Sequence, residues 1–257
     1  GSHGEYYLVP TPGRVNGLAS YTAADKGCYD YTGVFISEVC AYAGAGNNDW
    51  IELYNATDEA VSLEGWRLMK GKDGEDVISL SGTMVPGGYA VFETTSHRER
   101  QKNGVGSFGL SMGGETLYLL DEKGGLRDEY ATGVLEPNVS SGRVEGNGNI
   151  ARVFFTKPTK GARTSDQYAL GYAKAPLFSE TGLYQTSPFD LVLTSGEGAV
   201  IHYTTNGSEP TASSPVYDGP IYIQKNTVVR AFAQQDGLLD SEIVTYTFLF
   251  EEPHELP

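Results

Sequence analysis

From Val34 to Phe250 the chain is written almost entirely in short β-branched and aromatic runs, each closed by Gly, Asn, Asp or Pro. VFISEV, DWIELYN, VSLEGWRLM, DVISLSG, GYAVFET, ETLYLLD and ARVFF form one series. DLVLTS, VIHYTT, PIYIQ, NTVVRAFAQ and EIVTYTFLF form a second. Turn chemistry separates the runs at Asn55–Asp58, Lys70–Gly74, Pro86–Gly88, Lys123–Gly125, Asn206-Gly207 and Gln235–Gly237. No window carries a helical apolar stripe, and the polar SHRERQKN (Ser96–Asn103) has no apolar face, so it reads as a solvated loop. Short strands at regular spacing predict β-sandwiches. The rhythm lapses in DQYALGYAKAP (Asp166–Pro176), which reads as a linker, so two small sandwiches are expected in preference to one large barrel.

A chain of 257 residues has room for two such domains, and 39% hydrophobic with 20% charged residues is a globular composition. The 33 Gly and 12 Pro supply tight turns, and 17 Tyr with 10 Phe supply aromatic strands. A formal charge of −15, from 33 acids against 18 bases, argues against a nucleic-acid partner, which needs clustered Lys and Arg. The surplus is spread out: residues 34–166 hold 19 acids and 13 bases, residues 175–250 hold 8 and 2. That distribution suits solubility rather than an acidic tail. No stretch reaches the roughly 18 to 20 apolar residues of a membrane-spanning helix, so membrane insertion is not expected. Gly1-Ser-His3 reads as an expression scar, so the lack of a leader says nothing about export. Two cysteines, Cys28 and Cys40, are close enough for a disulfide, which would suit an exported protein; two free thiols fit equally well.

Several motifs invite a catalytic reading and do not support it. Gly109-Leu-Ser111-Met-Gly113 satisfies G-x-S-x-G, but a nucleophile elbow needs a strand turning into a helix, and GETLYLLD alternates like a strand. Gly104-Val-Gly106-Ser-Phe-Gly109 satisfies G-x-G-x-x-G without the strand before it or the helix after it. Asp49 and Glu52 in NNDWIELYN suggest a glycosidase pair, yet strand alternation sends them to opposite faces, which points to a structural role for Glu52, paired with an Arg. Asp49, Asp73 and Asp76 lie in Asp/Asn/Gly-rich stretches that could supply oxygen ligands to calcium. Neither stretch matches an EF-hand, and solvated turns are the plainer explanation. The sequons at Asn55, Asn138 and Asn206 each fall where a turn is expected anyway.

From Val34 onward the order of motifs resembles the lamin-tail domain: VFISEV, DWIELYN, VSLEGWRLM, GTMVPGGYAVF, FGLSMGGETLYLLD, SSGRV and FFTKPTKGARTSD. The family's usual Thr-Pro-Gly exit is altered here to Pro158-Thr-Lys-Gly161. Residues 176–250 resemble the C-terminal module of chitobiase and β-hexosaminidase. They carry Gly182-Leu-Tyr184, LVLTS, IHYTTNGSEPT, VYDGPIYI and TVVRAFAQQDGLLDSEIVTYTF in its order, with Asn206-Gly207 keeping the chemistry of a type I′ turn. The resemblance implies an all-β chain of two small immunoglobulin-like sandwiches in tandem with an N-terminal extension. Its parts are 1–33 (scar and extension), 34–166 (first module), 167–175 (linker), 176–250 (second module) and 251–257 (tail).

It also implies a role. Neither module carries catalytic machinery, and both occur in large exported bacterial proteins. The expectation is a non-enzymatic spacer, adhesion or interaction segment at the cell surface, with neighbouring domains of the same polypeptide as partners and no resident cofactor. The alternative is a carbohydrate- or cell-wall-binding accessory module, for which Tyr184, Tyr203, Tyr217 and Tyr222 are the candidate stacking residues. Alternation leaves open whether these rings are exposed or fill the sandwich. Trp50 and Trp66 are expected in the core of the first module. YYLVPTPGRVNG (Tyr6–Gly17) echoes the lamin-tail exit and reads either as the tail of a preceding repeat or as a first strand of the following sandwich.

Overall fold

The structure, a computed structural model, describes residues 33–43, 48–71, 76–94, 108–146, 149–164 and 167–250. The Tyr6–Gly17 echo and the polar Ser96–Asn103 stretch lie outside these residues. The chain divides into two compact units between Tyr168 and Ala169. Both are built of strands alone, as expected; the described residues contain no helix.

In the first unit the strands are β1 (Val34–Cys40), β2 (Asp49–Asn55), β3 (Val61–Ser62), β4 (Arg67–Lys70), β5 (Asp76–Ser79), β6 (Thr83–Met84), β7 (Tyr89–Thr94), β8 (Thr116–Leu120), β9 (Leu126–Ala131), β10 (Ser140–Gly146) and β11 (Asn149–Phe155). Two sheets form, in the orders β11-β10-β1-β2-β7 and β5-β4-β8-β9, with β3-β6 as a small ribbon. Ile36, Ile51 and Leu53 of the first sheet pack against Leu68, Leu117, Leu119 and Tyr130 of the second. This is the dry interior that drives the sandwich together. VSLEGWRLM is not one strand: Gly65, at φ +78°, turns the chain between β3 and β4 and drops Leu63 and Trp66 into the core. Val85–Gly88 has the residue order of a type II turn, Pro86 then Gly87 at φ +66°, closed by the Gly88 amide on the Val85 carbonyl.

Trp66 joins the core as expected, with the Arg127 guanidinium 5.8 Å from its ring centre. Trp50 is buried as well, but on the opposite face of β2, away from Ile51 and Leu53. That outer face carries Glu52 too and is covered by the segment after β11, where Thr159 and Gly161 bond to Glu38 and Glu52.

The two sheets are joined at a bulge in β1. Register with β2 slips between Ile36 and Glu38, leaving Ser37 as the extra residue. On its other side β1 pairs with β10 only at Glu38 and Val39, so Ile36 has no ladder partner there. Side chains supply one. Asp128 Oδ2 on β9 accepts from the Ile36 amide at 2.7 Å, and Arg143 Nη1 on β10 donates to the Ile36 carbonyl at 2.7 Å. Arg143 and Asp128 also pair with each other at 2.6 and 3.0 Å, both fully enclosed, with the Tyr130 ring 4.6 Å from the guanidinium carbon. Close packing continues at Gly142, where an added Cβ would lie 2.7 Å from the Ser37 carbonyl oxygen and 2.8 Å from Phe155.

The second unit contains β12 (Leu177–Phe178), β13 (Tyr184–Gln185), β14 (Phe189–Leu191), β15 (Leu193–Thr194), β16 (Val200–Thr204), β17 (Ile221–Ile223), β18 (Thr227–Gln234) and β19 (Val244–Phe250). A sheet in the order β13-β19-β18-β16 is accompanied by the pairs β12-β15 and β14-β17. Leu191, Leu193, Ile201, Ile223, Val229, Ala231 and Phe248 form its core. DLVLTS is again not one strand: the chain changes ribbon at the exposed Val192, so that Leu191 and Leu193 both face inward. Asn206-Gly207 is not a type I′ hairpin. Only Gly207 has positive φ, whereas that turn needs it at both central residues, and β16 pairs with β18 rather than with the next strand.

Removing the charge of one partner in the enclosed ion pair leaves the other uncompensated. Asp128→Asn is therefore expected to destabilise the first unit by about 3–5 kcal/mol, read as a lower urea midpoint. A loss under about 1 kcal/mol would show the pair to be behaving like a surface bridge.

Candidate functional site

The carboxylates that tempt an acid–base reading lie at the junction of β1, β2 and the segment after β11. Glu38 accepts from Ser140 Oγ at 2.5 Å, from the Thr159 amide at 3.0 Å and from Thr159 Oγ1 at 2.5 Å. Glu52, opposite Glu38 in the ladder, accepts from Ser37 Oγ at 2.7 Å and from the Gly161 amide at 2.6 Å. Amides and hydroxyls hold Glu52, where an arginine was expected. Burial pushes its carboxyl up to about 7, a rise opposed by the Ser37 and Gly161 hydrogen bonds and assisted by the neighbouring Glu38. Asp49 points elsewhere: its two oxygens accept from the Tyr42 amide at 2.6 Å and the Leu110 amide at 3.0 Å. All three carboxylates are thereby holding backbone in place.

The same holds for the other sequence candidates. Ser111 sits in an exposed turn that leads into β8, and its Oγ accepts from the Gly113 amide at 3.2 Å. Of the calcium candidates, Asp49 has both oxygens engaged, Asp76 begins β5 opposite Lys70, and Asp73 lies outside the described residues. No group of three or more His, Cys, Asp or Glu among the described residues is placed to hold a metal ion. Cys40 is a free buried thiol with Sγ 3.8 Å from the Val139 carbonyl. Burial, with the charges of Glu38 and Asp49, pushes it up to about 12, so it stays protonated. Its candidate partner Cys28, and with it the pairing, lies outside the described residues. The Asn55 sequon is structural, since the buried Asn55 Nδ2 donates to the carbonyls of Glu59, Met84 and Val85.

The four candidate tyrosines separate into different environments. Tyr203 and Tyr217 are half-buried against the second core, ring centres 6.3 Å apart and edge to face. Tyr184 is 73% exposed on β13, and Tyr222 is 59% exposed on β17. They do not make one row. Tyr203 and Tyr222 do come together, in the wall of an open cleft of about 660 Å³ bounded by the end of β16, the turn after it, and the turn from β17 to β18. Asn206, Gln224, Lys225 and Asn226 line it with them. Asn206 Oδ1 accepts from the amide and hydroxyl of Ser208 (3.0 and 2.7 Å), and Asn226 Oδ1 accepts from the Phe250 amide at 2.7 Å. The sequence reading missed Gln224, Lys225 and Asn226. Their signal was the short polar QKN turn directly after the apolar alternation of PIYI.

Fold and site together define a tandem of immunoglobulin-like sandwich modules whose inner polar groups are structural and whose open cleft lies in the second. The family model of the Lamin Tail Domain matches residues 29–133, and that of the Chitobiase/beta-hexosaminidase C-terminal domain matches residues 179–245. The chain thus carries these two domains in this order, and both are non-catalytic immunoglobulin-like modules. No match is found among curated proteins.

A carboxyl whose pKa rises on folding holds its proton more tightly in the folded state. The contribution of Glu52 to stability is therefore full below its ordinary value of 4.5 and is lost as pH climbs to about 7. That loss is on the order of 3 kcal/mol for the shift involved. Unfolding midpoints of the native chain should fall across this window, and those of Glu52→Gln should fall less; equal slopes would show that the Glu52 carboxyl titrates alike in the folded and unfolded states.

Proposed function

We propose that the chain is a non-catalytic accessory segment of a modular exported protein, serving as a spacer and interaction element between neighbouring domains at a cell surface. The observation that carries this reading is the engagement of the acids of the first unit. Glu38, Glu52, Asp121 and Asp128, and the half-buried Asp49, each accept from backbone amides or structural side chains, and Glu93, the acid in the lining of the first unit's cavity of about 300 Å³, is paired with Lys160 and Asn48. A general acid or base needs an oxygen turned toward a substrate proton, and these oxygens are engaged by internal donors. The presence of two non-catalytic module families supports the same reading. The exported location is supported by the extracellular proteins in which chitobiase C-terminal domains typically occur.

Two small sandwiches with separate cores suit a spacer, since each can fold on its own. Residues 33–164 and 169–250, made separately, should each unfold in a single cooperative transition and show no turnover of ester, glycoside or peptide substrates. Turnover by the whole chain that disappears in Ser111→Ala would overturn the non-catalytic reading. Failure of intact cells to bind an antibody against the chain would overturn the surface location.

A further inference from the structure

We propose that the cleft between Tyr203 and Tyr222 is a binding site for a carboxylate-bearing sugar chain, deepening the accessory role proposed above and resting on it. The first ground is shape and aromatic surface. The cleft of about 660 Å³ has room for one or two sugar rings, and Tyr222 keeps more than half of its surface open beside it. An exposed tyrosine face is a stacking surface for the C–H side of a pyranose, with its hydroxyl free to hydrogen-bond.

The second ground is the kind of polar atom left over. The side-chain oxygens of Asn206 and Asn226 already accept hydrogen bonds within the chain, so what each residue retains for a ligand is its Nδ2 donor. Gln224 adds an exposed amide. The hydroxyls of Thr204, Ser208 and Thr227 have donated internally, to Ser208 O, Asn206 Oδ1 and Lys225 O, and present lone pairs. Amide donors and hydroxyl acceptors at one recess match the mixed donor–acceptor edge of a sugar ring. A peptide strand would instead require a regular row of free backbone groups.

The third ground is charge. Residues 175–250 hold 8 acids and 2 bases, yet the one charged residue lining the cleft is Lys225. The other base, Arg230, lies 3.5 Å from Glu209. Lys225 makes no ion pair among the described residues. Asp190, which faces Tyr222 across the β14–β17 ladder, is exposed and does not line the cleft. A lone ammonium among amide donors selects an anionic group, and a single positive charge flanked by N–H donors suits the singly charged, planar carboxylate of an acidic sugar better than a more highly charged phosphate. Such chains come from two sources, uronate polysaccharides and cell-wall glycan whose muramic carboxyls have been freed of their stem peptides.

The test uses the full chain in affinity electrophoresis and calorimetry against oligogalacturonate, peptidoglycan glycan stripped of its stem peptides by an amidase, and a neutral glucan. Binding to one or both acidic glycans and not to the glucan is expected, weakening as salt rises. Binding to oligogalacturonate alone or to peptidoglycan alone assigns the source. Tyr222→Ala and Lys225→Gln, both at exposed positions, should each weaken binding roughly tenfold or more with unfolding midpoints unchanged, and the salt dependence should vanish in Lys225→Gln. Tyr184→Ala, exposed but outside the cleft, should bind as the native chain does. Equal affinity for the neutral glucan, unchanged binding by Tyr222→Ala, or binding of extended peptides in place of glycans would each overturn the proposal. Absence of glycan binding sinks the cleft assignment and leaves the accessory reading standing, whereas cleavage of a bound glycan sinks the accessory reading and leaves the cleft.

Discussion

The first unit depends on one place where the backbone ladder fails. A bulge at Ser37 lets β1 change register, and the price is an amide and a carbonyl at Ile36 without strand partners. Asp128 and Arg143 satisfy both groups and each other, one from each sheet. A buried ion pair by itself is weak evidence for stability, because desolvation opposes attraction. Here the pair does something an apolar replacement could not do, which is to complete the hydrogen bonding of a buried main chain. Tyr130 and Phe35, with ring centres 4.6 and 5.7 Å from the guanidinium carbon, then enclose the charge.

The bulge also sets the outer face of the same sheet. Shifting the register at Ser37 brings Glu38 opposite Glu52, so two carboxylates sit side by side beneath no second sheet. Two adjacent buried acids are unfavourable unless donors converge on them. The donors come from Ser37, Ser140 and the chain after β11, where Thr159 and Gly161 present their amides. The altered exit Pro158-Thr-Lys-Gly161 is thus a working part of the module. Through it Trp50, which faces away from the sandwich interior, is nevertheless buried.

Much of this architecture was legible in the sequence because alternation and turn residues report burial directly. β1, β2, β7, β8 and β18 fall where apolar runs stand between Gly, Asn and Pro. β9 and β10 were not legible, and the reason is physical. LRDEYA and SSGRVEG bury Asp128, Ser140, Ser141 and Arg143, so their patterns look like exposed loops. A period-2 signal fails when the buried face is polar, and only the partner strand reveals that it is buried. The candidate site shows a related limit. Tyrosine content pointed to the second unit, but Tyr184 and Tyr222 cannot be told from Tyr203 and Tyr217 by alternation, since strands this short have no fixed inner face.

The two units therefore treat polarity in opposite ways. In the first, carboxylates on both faces of the first sheet are covered and bond to main chain and hydroxyls, which leaves little polar chemistry to offer a ligand. In the second, the core cluster is apolar, with His202 and Ser241 as the unit's buried polar residues, and the amides gather at the ends of β16 and β17, where the oxygens of Asn206 and Asn226 are used internally. A side-chain amide held by its oxygen is oriented at no cost to its nitrogen, so the turn that fixes Asn206 and Asn226 also aims their donors. Preorganised donors lose less freedom on binding than mobile ones do. That economy explains how an acidic, strand-rich module can keep one donor-rich recess without a helix terminus, a metal ion or an arginine cluster to supply it.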